Sequence, residues 1–270
     1  MTHLLCTFDP VINYKKQQTT MRKIVLAALA FMLVVGAAEA QKVVAHRGFW
    51  KTEGSAQNSL ASYAKADAVG AFGSEFDVWM TVDGHLVVNH DKRFKGVDME
   101  TTPFADIRKV KLDNGEQLPT LDEYLNNAAK YPKTRLVLEL KSLTSLQRED
   151  EAAVKVVKAL KKHNLMEHTD IIAFSINACL AFKKAAPEAA IYYLDSDLPP
   201  KKIKALGLAG MDYSSYALRR HPEWVKEAHE LGLKVNVWTV NKEEDMKYFI
   251  SQGVDFITTD HPDVALKLVK

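Results

Sequence analysis

Four pairs of titratable residues interrupt or end apolar, β-rich runs in this chain. His46 and Arg47 follow Val43-Val44-Ala45, and Glu75 and Asp77 bracket Phe76. His90 and Asp91 close the run that starts at Leu86, and Glu139 and Lys141 bracket Leu140. A charge in such a run is costly to bury unless it is paired or binds a metal. Glu75, Asp77 and Glu139 form a hard, oxygen-rich set suited to one divalent cation, Mg2+ or Ca2+. A salt-bridge network with Arg47 and Lys141 is the plainer alternative. Histidine as a residue type titrates near neutrality, so His46 and His90 flanking one substrate suit a general base and a general acid. Arg47 as a planar fork and Lys141 as a point charge suit a phosphate. No HExxH motif or Cys cluster favours zinc. The remaining candidates, His85, His163, His168, His221, His229 and His261, fall in turns or helical stretches and are expected at the surface.

These residues need a scaffold, and the chain alternates strand and helix patterns from residue 42 onward. Strands are expected at 43–46, 71–77, 135–141, 170–175, 191–194, 210–213, 234–240 and 255–259. Helices are expected at 59–69, 121–130, 148–163, 177–186, 199–206, 222–231 and 242–252, with Ser59 as an N-cap or first-turn residue. Such alternation means βαβ units and a parallel sheet, and eight strands suggest a single-domain (β/α)8 TIM barrel. A doubly wound sheet is the alternative, although no GxGxxG or GxxxxGK[ST] follows the first strand. Asp83-Gly84 joins two β-rich runs and predicts a two-residue hairpin over the C-terminal mouth of the barrel. That turn would set Val82 opposite His85, and hence Asp77 opposite His90 on one face.

Residues 21–40 read as a secretory signal peptide. Arg22 and Lys23 precede an apolar run from Ile24 to Val35, and Ala38-Glu39-Ala40 fits a cleavage site. Met21 is then the expected start, residues 41–270 the mature domain, and the product exported to a periplasm or secreted. A buried core helix is the alternative for that run. The 270 residues are 47% hydrophobic and 26% charged, which excludes disorder. Lys and Arg number 36 against 34 Asp and Glu, and removing residues 1–40 leaves no net charge, so nucleic acid is not an expected partner. A small molecule is. No basic amphipathic segment points to a stable membrane anchor after cleavage. The mature chain keeps one cysteine, Cys179, expected as a buried small hydrophobe.

Taken together, the strings that carry this chemistry resemble the glycerophosphodiester phosphodiesterase family. The resemblance runs through Val44-Ala45-His46-Arg47-Gly48, Glu75-Phe76-Asp77-Val78, Asp83-Gly84, Asn89-His90-Asp91 and Leu138-Glu139-Leu140-Lys141. It continues through Phe174-Ser175, Val237-Trp238-Thr239-Val240-Asn241 and Ile257-Thr258-Thr259-Asp260-His261-Pro262. It implies a TIM barrel of the phospholipase C-like phosphodiesterase type. By the same resemblance His46 and His90 are the acid–base pair, and Glu75, Asp77 and Glu139 hold a divalent cation. Arg47 and Lys141 bind the phosphate and Trp238 lines the pocket. The implied reaction is metal-dependent hydrolysis of glycerophosphodiesters to glycerol 3-phosphate and an alcohol. Alternatives are another lipid head group, such as a phosphoinositol or lysophospholipid, or a phosphodiester-binding protein without turnover. One departure stands out. The family pattern Pro-Glu-Asn-Thr is Ala56-Gln57-Asn58-Ser59 here, so Gln57 brings a carbonyl oxygen to the substrate region without a charge.

Overall fold

A computed structural model describes residues 40–269. The expected signal peptide at residues 21–40 lies, but for Ala40, outside the described residues. In chain order the strands are β1 (Lys42–Ala45), β2 (Gly73–Met80), β3 (Leu86–Val88), β4 (Arg93–Phe94), β5 (Val97–Asp98) and β6 (Arg135–Leu140). They continue with β7 (Thr169–Ala173), β8 (Ala190–Tyr193), β9 (Gly210–Ser214), β10 (Lys234–Trp238) and β11 (Phe256–Thr259). The helices are α1 (Leu60–Val69), α2 (Phe104–Ile107), α3 (Leu121–Ala128), α4 (Leu146–Lys162) and α5 (Ile176–Ala185). After them come α6 (Pro200–Ala205), α7 (Ser215–Arg220), α8 (Glu223–Glu230), α9 (Glu243–Gln252) and α10 (Pro262–Leu268).

Eight strands run parallel in the order β1, β2, β6, β7, β8, β9, β10, β11, and β1 pairs with both β2 and β11. The sheet is therefore a closed (β/α)8 barrel. Side-chain alternation sorts each strand. Val43, Phe76, Val78, Leu136, Leu138 and Ile171 point outward into the core shared with the helices. Val44, Val137, Ile172 and Tyr192 point inward and fill the barrel. The two apolar faces explain why these strands read as nearly continuous hydrophobic runs. Helices α1, α3, α4, α5 and α7 begin on side-chain caps. The Ser59 hydroxyl accepts from the Ser62 N–H, and Thr120 and Glu123 form a capping box.

The antiparallel strand β3 lies on the C-terminal half of β2, and the barrel closes without it. Its register corrects the sequence expectation. Met80 pairs with Leu86, Trp79 with Val87 and Val78 with Val88, so Asp77 faces Asn89 rather than His90. Three residues, not two, make the turn. Thr81 N–H donates to the His85 carbonyl, the Thr81 hydroxyl donates to Asp83, and Gly84 sits at φ 80°. A left-handed glycine after a type I turn adds a residue to the loop, and one extra residue moves every opposite partner by one.

Candidate active site

Barrel closure brings the ends of the chain together. The β1–β11 register aligns Ala45 with Thr259, and the His46 N–H donates to the Thr259 carbonyl at 2.9 Å. The next residues out, His46 and Asp260, are thus neighbours at the C-terminal mouth, and His46 Nδ1 lies 2.7 Å from Asp260 Oδ1. Asp260 is itself held. It accepts from Trp50 Nε1 at 3.2 Å and Asn241 Nδ2 at 2.9 Å, and Lys51 Nζ lies 3.2 Å away. Burial alone would raise its pKa, but His46 and Lys51 outweigh burial and hold it well below the usual carboxylate range. An Nδ1–H donated to Asp260 leaves Nε2 of His46 for the pocket.

Arg47 and Gly48 both adopt positive φ, 55° and 76°. This kink aims the Arg47 N–H at Glu75 Oε2, 2.7 Å away. A Cβ at position 48 would overlap Ser62 of α1, so glycine is required there by both conformation and space. The guanidinium donates Nη1–H to Gln57 Oε1 at 2.7 Å, while Nε is buried without a partner.

Glu75 and Asp77 are inward residues of β2, and parallel pairing with β6 sets Asp77 beside Glu139. One oxygen from each of the three buried carboxylates lies within 4.8 Å of the others. Asp77 Oδ2 accepts from Asn58 Nδ2 at 2.8 Å, and its Oδ1 is 3.3 Å from Lys141 Nζ. Lys141 Nζ also lies 2.7 Å from Glu139 Oε1. One ammonium cannot offset three carboxylates. Burial, then Asp77 and Glu139, push Glu75 well above its ordinary pKa. Burial, then Asp77, push Glu139 up to about 8. Burial also opposes ionisation of Asp77, but Lys141, His90 and Asn58 win and lower its pKa to about 2. Glu75 Oε1 is buried and has no hydrogen-bond donor. Crowded, under-neutralised carboxylates with an orphaned oxygen fit a hard divalent cation.

His90 reaches the same mouth from the far side of the hairpin. It lies past the end of β3, where its carbonyl accepts from Trp79 Nε1 at 3.2 Å. Its Nδ1 is 2.7 Å from Asp91 Oδ1. Burial lowers its pKa, and Lys141 and Arg47 lower it further against the pull of Asp77. The seven residues His46, Arg47, Glu75, Asp77, His90, Glu139 and Lys141 therefore converge.

The enclosed part of the mouth holds about 100 Å3 and has two unlike halves. His46, Arg47, Glu75, His90, Glu139 and Lys141 make the charged half. Ile172, Phe174, Leu194 and Trp238 make the apolar half, with Asp212, Thr239 and Thr258 among them. Trp238 packs edge-on to Phe174 at 5.7 Å and donates Nε1–H to the Asp212 carbonyl at 2.8 Å. Gln57 sits behind Arg47 and lines a neighbouring cavity of about 410 Å3 that shares His90 with the mouth. Sequence reasoning assigned no role to Asp260, Asn241, Asn58, Asp91 or Asp212. Asp260 and Asn241 lie in quoted strings just after strands, a position that signals the active end of a barrel.

The fold and its mouth define a (β/α)8 barrel that gathers two histidines, two cationic side chains and a carboxylate cluster at one end. Residues 46–264 match the model of the glycerophosphoryl diester phosphodiesterase family. A glycerophosphodiester phosphodiesterase from Caldanaerobacter subterraneus subsp. tengcongensis is 33% identical over 245 residues, covering 84% of this chain and 97% of that protein. The crystal structure of a glycerophosphodiester phosphodiesterase from Parabacteroides distasonis is similar at TM-score 0.85 and 43% identity, covering 86% of this chain and 98% of that one. An Oleispira antarctica phosphodiesterase, solved with the product sn-glycerol-3-phosphate, is similar at TM-score 0.74 and 28% identity, covering 85% and 97%. The chain belongs to the glycerophosphoryl diester phosphodiesterase family and is an enzyme of the phosphoric diester hydrolase class.

Proposed function

We propose that this chain is an exported, metal-dependent hydrolase that splits glycerophosphodiesters into glycerol 3-phosphate and an alcohol. The observation that carries this is the meeting, in one mouth, of a three-carboxylate cluster, two cationic side chains and two histidines. Each histidine has a carboxylate 2.7 Å from Nδ1. The sn-glycerol-3-phosphate in the Oleispira relative supports the choice of product. The signal-like segment at residues 21–40 supports export.

Glu75, Asp77 and Glu139 would hold the cation, Mg2+ or Ca2+, which would supply Lewis-acid polarisation of a phosphoryl oxygen. Arg47 binds a non-bridging oxygen through its unpaired Nε, and Lys141 adds a second positive charge beside the carboxylates. Gln57 holds the Arg47 guanidinium without cancelling its charge. One histidine takes the proton of the C2 hydroxyl as that oxygen attacks phosphorus. The other protonates the oxygen of the departing alcohol. The roles exchange when water opens the cyclic phosphate. Trp238 and Phe174 wall the glycerol side.

The test is product identity from glycerophosphocholine. Glycerol 3-phosphate and choline are expected. Phosphocholine and glycerol, or binding without turnover, would contradict the proposal.

A further inference from the structure

Asp212 is the one carboxyl in the apolar half of the mouth, and the chemistry above does not use it. It is an inward residue of β9 and only 2% exposed. Strand β9 stands four places from β2 around the eight-stranded ring, so Asp212 lies across the barrel from Glu75 and Asp77. Its hydrogen-bonding neighbours are uncharged, and the Asp170 carboxylate lines the same interior cavity. Asn236 Nδ2 donates to Asp212 Oδ1 at 2.9 Å and to Thr258 Oγ1 at 2.7 Å. Among the described residues Asp212 forms no ion pair, and its Oδ2 takes no hydrogen bond. Burial pushes its pKa up to about 7, with the Asn236 hydrogen bond opposing the rise and the charge of Asp170 adding to it.

A buried carboxyl with one oxygen fixed and the other unused costs stability unless something else satisfies it. Here the unused oxygen belongs to a residue that lines the cavity. The phosphate-binding groups occupy the opposite half, so a substrate anchored there extends its other end across the barrel towards β9. A three-carbon polyol attached to phosphorus carries a terminal hydroxyl at that end. We infer that Asp212 is the specificity-determining residue for the free terminal hydroxyl of the glycerol unit. This rests on the phosphodiesterase reading above and deepens it. Asn236 is the positioning residue, since its amide holds Asp212 Oδ1 and turns the other oxygen loose. An acylated or deoxy glycerol offers no donor there and leaves the carboxyl unpaired, which is the strongest form of discrimination a polar site achieves.

The test is a cycle of two enzymes and two substrates. The purified full-length protein and its Asp212→Val variant are assayed on glycerophosphocholine and on the analogue lacking the terminal C1 hydroxyl, which keeps the C2 nucleophile. Wild type should prefer glycerophosphocholine, and Asp212→Val should lose about 10- to 100-fold in kcat/KM on it while changing little on the analogue. Asp212→Asn keeps an acceptor for Asn236 and should show a smaller loss, which covers the case in which the valine variant fails to fold. Equal losses on both substrates would overturn the role of Asp212 and leave the phosphodiesterase reading intact. No turnover of either substrate by wild type would overturn both.

Discussion

His46 and His90 each carry a carboxylate on Nδ1, but the two pairs are built differently. Asp260 is fixed by Trp50, Asn241 and Lys51, whereas Asp91 is a largely exposed sequence neighbour of His90. His46→Ala and His90→Ala should each lower kcat at least about 10²-fold, the usual scale for a lost general acid or base. Neither should change the melting temperature much, because both sit at the open end of the barrel. An active His90→Ala enzyme would remove that residue from the chemistry. Asp260 also carries a pH signature. Its folded pKa lies below the unfolded value of about 3.9, so it adds stability above that pH and loses it as pH falls towards the folded pKa. The stability gap between wild type and Asp260→Asn should therefore narrow between about pH 5 and pH 3. A gap that stays constant in denaturant titrations across that range would contradict this.

Among the elements, the long ones were legible, and most of the short helices and the hairpin turn were not. The barrel strands show as apolar runs because both faces are buried, and α1, α3, α4, α5, α6, α8 and α9 show as helical patterns. Helices α2, α7 and α10 have 4, 6 and 7 residues, too few for a periodicity to emerge, whereas the equally short α6 is marked by the proline at its start. The hairpin register was misread because the dipeptide Asp83-Gly84 does not by itself choose the loop length. The side-chain bond from Thr81 to Asp83 and the left-handed Gly84 choose it. His90 still reaches the mouth because it lies beyond β3, where cross-strand register no longer applies. The β1–α1 connection gives the sharpest test at this scale. Gly48→Ala forces a side chain into a positive-φ position against Ser62 and should cost about 1–3 kcal/mol in urea unfolding. An unchanged midpoint would show that the kink after His46 does not need glycine.

In the whole molecule, the eight-strand count already implied a closed ring, but not the partnerships that closure creates. The motif strings named most of the charged half of the mouth, since each lies at the end of an apolar run. The partnership of His46 with Asp260 spans 214 positions and exists only because β1 pairs with β11. Asp212 stayed hidden for a related reason. It reads as one acid in a strand, and only the ring order sets it across from Glu75 and Asp77.

Within the ring, the β2–β6 pairing sets Glu75, Asp77 and Glu139 together with one lysine between them, and a cation is the natural relief of that crowding. The most direct measurement is the rate of glycerol 3-phosphate release from glycerophosphocholine before chelation, after chelation, and after Mg2+ or Ca2+ is returned. The rate should collapse on chelation and recover with one of the two ions, while Glu139→Gln should recover poorly. Undiminished release of glycerol 3-phosphate from thoroughly chelated enzyme would contradict a metal-dependent site.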